Sequence, residues 1–134
     1  AEPPLPATQV ALVDALLAVR ETAPNALEQM RDLAVDLPAL DPALVRMEKR
    51  LDALAAQGVD LARLDFEASF GRTSMEYYDG FVFGFVARAR PDLPPLASGG
   101  RYDALTERLG GGAAIPAVGG VIRPEAVLAL ETAR

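Results

Sequence analysis

The residues able to do chemistry in this chain are few. Histidine and cysteine are both absent. Thiolate nucleophiles, disulfides, Cys-bound zinc, iron–sulfur clusters, His-based triads and HExxH zinc sites are therefore excluded. What remains is carboxylates, arginines, the single Lys49, hydroxyls and three tyrosines, Tyr77, Tyr78 and Tyr102. A phenol hydroxyl both donates and accepts a hydrogen bond, so it can hold the polar edge of a small ligand.

Tyr78 belongs to a segment from about Met75 to Ala87 with strand periodicity. One face carries Phe81, Phe83 and Phe85; the other carries Tyr78, Gly80, Val82, Gly84 and Val86. The aromatic face is expected to sit on packed helices, and by the same logic Tyr77 joins the core with Phe81. A strand face with two glycines leaves room for another backbone or a ligand. The acidic pairs are weaker candidates. Asp65 and Glu67 flank Phe66 on the opposite face and read as a solvated edge; Glu76 and Asp79 form a second pair without further support. Gly110-Gly111-Gly112 has no Lys-Ser/Thr pair and no helix after it, so it is a helix stop rather than a phosphate loop. Period-two phenylalanines are core spacing, not a stacking platform for bases.

These residues sit in the second of two compositionally distinct parts. Residues 1–57 hold no glycine and no aromatic, while all 11 glycines lie from Gly58 onward. The first part predicts three amphipathic helices. Leu12/Leu16 and Val13/Leu17 mark the first. Asn25 with Glu28 resembles a capping box, ahead of Leu27, Met30, Leu33 and Leu37. Asp41-Pro42 starts the third, which Gly58 ends. Three such helices are expected to have little core of their own. The second part predicts a half-buried strand over Leu64–Phe70, the long strand above, a Pro-rich loop over 88–95, a short strand at 96–98, and a helix from Tyr102 to Leu109. A strand at Ile115–Ile122 and a last helix after Pro124 follow. Strands joined by short turns with helices to one side argue an antiparallel α+β layer.

The 134 residues allow one domain or a domain with an appendage. Charge is 13 Lys+Arg against 19 Asp+Glu, net -6, with no basic run. That argues against a nucleic-acid groove or an anionic membrane surface. No apolar stretch reaches spanning length. The cysteine-free composition fits a cytoplasmic setting. The Pro-rich opening without Met suggests a piece of a longer protein.

Two segments resemble the paired signature of the histidyl-tRNA synthetase family. They are Gly71-Arg72-Thr73-Ser74-Met75-Glu76-Tyr77-Tyr78-Asp79-Gly80-Phe81-Val82-Phe83 and Ala97-Ser98-Gly99-Gly100-Arg101-Tyr102-Asp103-Ala104-Leu105. That family carries Arg-Gly-Leu-Asp-Tyr-Tyr-Thr-Gly-x-x-Phe and then Gly-Gly-Arg-Tyr-Asp-Gly-Leu. Pro116-Ala117-Val118-Gly119-Gly120-Val121-Ile122 looks like the start of its last class II motif. The resemblance covers about residues 61–130. It implies an α+β fold that is part of a class II synthetase-like antiparallel sheet. Residues 1–60 would then be a small helical insert, and 61–134 the C-terminal half of the synthetase-like domain. The first two class II motifs are missing, so the half-sheet is expected to need its other half, a second copy or a partner chain.

The departures are informative. Aligned on Tyr77-Tyr78, the catalytic arginine of a synthetase falls on Thr73, with Arg72 one position away. The glycine that makes room for adenine falls on Arg123, and the arginine of the last motif falls on Ala126. Amino-acid activation needs fixed positive charge against the ATP phosphates. The chain therefore resembles the branch formed by regulatory subunits of ATP phosphoribosyltransferase, the first enzyme of histidine biosynthesis. In that branch the synthetase-like subunit does no chemistry, activates a short-form catalytic subunit and takes part in histidine feedback. The resemblance implies no catalytic residue, no cofactor and no metal. It implies a histidine pocket lined by Tyr78 and Tyr102, with Gly80, Gly84 and Gly99 giving room. Arg101 holds the turn or reaches a ligand carboxylate; the residues alone equally allow an ion pair with Asp103 or Asp79. Implied partners are the short-form catalytic subunit, a second copy of the chain, and histidine as effector. The alternatives are an active histidyl-tRNA synthetase fragment and a synthetase-like adapter.

Overall fold

The computed structural model describes residues 4–71, 77–113 and 115–132. The chain forms two compact units, residues 1–69 and 70–134.

The first unit runs α1 (Ala7–Leu17), β1 (Arg20–Thr22), α2 (Ala23–Ala34), α3 (Asp41–Ala56) and β2 (Asp65–Glu67), with short 3-10 turns at Pro38–Leu40 and Leu61–Arg63. Helix α2 starts at Ala23, with Pro24 in its first turn, so the expected cap at Asn25 lies inside the helix. Proline suits that position because the first helical N–H groups have no intrahelical partner. Helix α3 ends as expected at Gly58, which adopts φ 81°. The Val59 N–H reaches the Leu54 carbonyl at 3.0 Å and the Gly58 N–H reaches Ala55 at 2.9 Å. These two bonds make a Schellman cap.

The core of this unit is larger than expected. Val19, Ala23, Ala26, Leu27, Met30, Ala34, Leu44, Met47 and Leu51 are all buried. The extra cover comes from Leu64, Phe66 and Ala68, which pack on that cluster. Strand β2 pairs antiparallel with β1, with Arg20 opposite Glu67 and Thr22 opposite Asp65. Asp65 and Glu67 are exposed and Phe66 half-buried, as the alternation requires. This pairing holds β2 in the helical unit. The division between units therefore falls after Ser69, later than the composition change near residue 60. Phe70 belongs to the second unit, so the predicted strand over 64–70 is cut to three residues.

The second unit is a three-stranded antiparallel sheet in the order β3 (Val82–Phe85), β4 (Ala97–Arg101), β5 (Val118–Ile122), with α4 (Asp103–Leu109) and α5 (Pro124–Glu131). The α+β class is as expected. The register sets Phe83, Gly99 and Gly120 side by side, and Val82, Gly100 and Gly119 side by side. Phe81, Phe83 and Phe85 form a row with ring centroids 6.3 and 6.0 Å apart. The expected cover of helices on that face is not met at Phe85, which is 62% exposed. Ala126 is the buried hydrophobic side chain of this unit among the described residues.

Candidate tyrosine site

Tyr78 and Tyr102 come from different elements, and the sheet brings them together. Tyr78 precedes β3; Tyr102 lies between β4 and α4. Their ring centroids are 6.3 Å apart at 47°. Tyr77 completes the group, 4.7 Å from Tyr78 and edge-on to Tyr102 at 5.6 Å and 88°. The expectation of Tyr77 as a core residue fails: its ring is 38% exposed and packs with the other two phenols.

Glycines make the space for these rings. A methyl on Gly100 would come within 2.8 Å of the Tyr78 ring, and one on Gly119 within 2.7 Å of the Tyr102 hydroxyl. Both glycines lie on the same sheet face. Gly84 shares that face, but its space is taken by the Phe70 ring. Gly99 does not belong to this group. Side chains alternate along a strand, so Gly99 faces the other way and is covered by Phe83. Gly80 faces the stem of Arg101. The glycines that serve the tyrosines are thus Gly100 and Gly119; the signal for them was present in the doublets Gly99-Gly100 and Gly119-Gly120, where one of each pair must face each way.

Around the rings lies a polar frame. The Arg101 Nε donates to Asp103 Oδ2 at 2.7 Å, and the Arg101 Nη2 lies 2.7 Å from the same oxygen, so Arg101 makes the ion pair with Asp103. The Ala117 N–H donates to the other oxygen of Asp103 at 2.8 Å. That N–H and then the Arg101 guanidinium hold the Asp103 carboxyl below its usual range. The Tyr102 N–H donates to the Ala117 carbonyl at 3.0 Å. Asp79 accepts from the Asp103 N–H at 3.1 Å and the Ala104 N–H at 2.6 Å. Tyr78 has its phenol pushed up, first by the hydrogen bond with Tyr77, then by burial, then by the Tyr77 and Tyr102 charges.

The family model described as histidyl-tRNA synthetase matches residues 1–127. The chain belongs to the histidyl-tRNA synthetase family. A protein of Agrobacterium fabrum named ATP phosphoribosyltransferase regulatory subunit is 40% identical over 116 residues, covering 86% of this chain and 30% of that protein. Proteins of the same name from Brucella canis and Brucella suis are 38% identical over 116 residues, covering 85% of this chain and 30% of theirs. The chain thus spans 30% of the length of these curated relatives. No solved structure matches it significantly. The relatives carry the name of the branch that the two signature segments resemble.

In this histidyl-tRNA synthetase family member, Arg123 and Ala126, the two positions expected to correspond to nucleotide-site residues of a synthetase, lie at the start of α5. The Arg123 guanidinium donates to the Pro95 carbonyl at 3.0 Å and to the Ser98 hydroxyl at 3.2 Å. Ala126 is 3% exposed in the first turns of α5. Arg72, Thr73 and Glu76 lie outside the described residues. Two surface clefts of about 300 Å³ lie in the first unit, one lined by Val59, Asp60, Arg63 and Leu64, the other along α2 and α3. Neither contains a predicted site residue. Among the described residues no group of His, Cys, Asp and Glu is placed to hold a metal, and no helix is long and apolar enough to cross a membrane.

Proposed function

We propose that this chain is part of a non-catalytic regulatory subunit of ATP phosphoribosyltransferase, needed for the first step of histidine biosynthesis and for its response to histidine. The observation that carries this is kinship at 40% identity with a protein of that name. Residues 1–60 act as a helical insert and 61–134 as the C-terminal half of the synthetase-like domain, with the segment 61–69 packed onto the insert helices. The partner is the short-form catalytic subunit, in a cytoplasmic complex, and self-association completes the sheet. The absence of amino-acid activation is supported by two positions. Arg123 fills space where the synthetase pattern has glycine, with its guanidinium spent on Pro95 and Ser98. Ala126 puts no charge where that pattern has arginine. Co-purification of the full-length protein with the short catalytic subunit, with a rise in phosphoribosyltransferase rate, is the expected result. No complex and no rate effect would sink the assignment, as would robust histidine-dependent ATP–pyrophosphate exchange.

Histidine is the ligand of the Tyr78–Tyr102 pair. Phenol hydroxyls match imidazole nitrogens as donors and acceptors. The three rings touch one another, so imidazole meets their hydroxyl edges rather than sliding between them. Losing one such hydrogen bond costs roughly 1–3 kcal/mol. Tyr78→Phe and Tyr102→Phe in the full-length protein should each weaken histidine binding about five-fold or more by calorimetry. Unchanged affinity in both variants would remove histidine from this site.

A further inference from the structure

We propose that Asp79 is a positioning residue that clamps the backbone around Tyr102 and so sets the geometry of the Tyr78–Tyr102 pair. Asp79 directly follows Tyr78. Its carboxylate accepts from the N–H groups of Asp103 and Ala104, the two residues that follow Tyr102. Its own N–H donates to the carbonyl of Arg101, the residue that precedes Tyr102, at 3.1 Å. One residue adjacent to the first phenol thus brackets the second with three hydrogen bonds. Tyr102 is the N-cap residue of α4 and makes no side-chain cap bond. Asp79 supplies that cap from the segment that leads into β3, leaving the Tyr102 hydroxyl uncommitted to the helix.

The local backbone is shaped for this contact. The Arg101 N–H donates to the Phe81 carbonyl at 2.9 Å, while the Arg101 carbonyl accepts from Asp79. Pairing therefore skips Gly80, whose missing side chain admits the Arg101 stem; a methyl there would approach the Arg101 Cβ to 2.8 Å. Gly80 makes the irregularity that turns Asp79 toward α4. Asp79 stands where the synthetase segment has threonine; its carboxylate offers one oxygen to each N–H, whereas the single hydroxyl oxygen of threonine would have to serve both. A carboxylate at a helix start also favours the positive end of the helix.

The affinity part of this proposal rests on histidine being the ligand of the tyrosine pair, so its test has a second arm that does not. In the full-length protein, Asp79→Ala should weaken histidine binding about five-fold or more, and Asp79→Asn, which keeps one acceptor, less than that. In fluorotyrosine-labelled protein, the fluorine resonances of Tyr78 and Tyr102, assigned with the Tyr→Phe variants, should both shift in Asp79→Ala without ligand. A merely structural cap would lower the melting temperature and leave affinity and both resonances alone at temperatures where the protein is folded; that result overturns the proposal. If Tyr78→Phe and Tyr102→Phe weaken binding and Asp79→Ala does not, the clamp falls and the ligand assignment stands. If no variant alters binding, the ligand assignment falls, and the resonances alone decide the clamp. Should Asp79→Ala fail to fold, Asp79→Asn carries both arms, with unchanged affinity and resonances overturning the clamp.

Discussion

The ring of Phe83 lies on the backbone of Gly99, one strand away in the second unit. A methyl added to Gly99 would sit 2.6 Å from the Phe83 Cζ and would overlap the Gly119 carbonyl oxygen. The ring can turn aside, but the carbonyl belongs to the β4–β5 ladder and cannot move without breaking it. Gly99→Ala should therefore destabilise the second unit by about 1–3 kcal/mol, the usual cost of overpacking. Tyrosine fluorescence is a clean probe, because all three tyrosines lie in that unit. A denaturation midpoint equal to that of the unaltered protein would contradict the close approach.

The first unit depends on side-chain packing instead. Met30 is 5% exposed between α2 and α3, within the buried cluster. Met30→Ala should cost about 2–5 kcal/mol, the range for truncating a buried large side chain. Most helical residues lie in this unit, so loss of far-ultraviolet ellipticity with urea reads it directly. A change under about 0.5 kcal/mol, typical of a surface position, would show that the cluster does not hold the unit together.

The phenol of Tyr78 gives a prediction at high pH. Its hydrogen bond with Tyr77 raises it above the ordinary tyrosine value of about 10. A raised value in the fold means that the neutral phenol is the favoured form. Its contribution to stability is complete below the ordinary value and is lost as pH rises through the folded one. Phenolate absorbance of the intact protein should therefore include one tyrosine that ionises late, and Tyr78→Phe should remove that late step. Tyr77→Phe should shift it back toward the ordinary value. A late step that persists in Tyr78→Phe belongs to another residue.

Several of these relationships were legible in the amino-acid sequence. Helix α3 was, because Asp41-Pro42 and Gly58 punctuate both its ends. The grouping of Tyr78 with Tyr102 was also legible, through the order and spacing of two segments rather than through periodicity. Strand β1 was not. Arg20-Glu21-Thr22 carries no apolar alternation, and it is a strand only because β2 lies beside it. The size of the first core was hidden for the same reason, since Leu64 and Phe66 cover it from far along the chain. The choice between Gly99 and Gly100 turned on register. A one-residue slip exchanges the two faces of a strand, and a glycine doublet offers no side chain to fix which face is which. Asp79 was visible as half of an acidic pair, but its partners are backbone N–H groups, which leave no mark on composition.

Gly119 separates the tyrosine geometry from the stability of the sheet. A methyl there would meet the Tyr102 hydroxyl at 2.7 Å and ring atoms at 3.3 and 3.4 Å, with no backbone atom among its nearest neighbours. The obstacle is the far end of a side chain that can swing, unlike the fixed carbonyl that faces Gly99. Gly119→Ala should therefore cost less stability than Gly99→Ala, under about 1 kcal/mol if the ring moves freely, since volume changes that side chains can absorb are tolerated best. Its effect should appear at the phenol: the Tyr102 resonance of fluorotyrosine-labelled protein should shift while the sheet unfolds at nearly the same urea concentration. If histidine is held by the Tyr102 hydroxyl, its affinity should fall by about five-fold or more in the same variant, as for losing one hydrogen bond. A large loss of stability with an unmoved Tyr102 resonance would mean that the ring is locked in place and the strand, not the phenol, gives way.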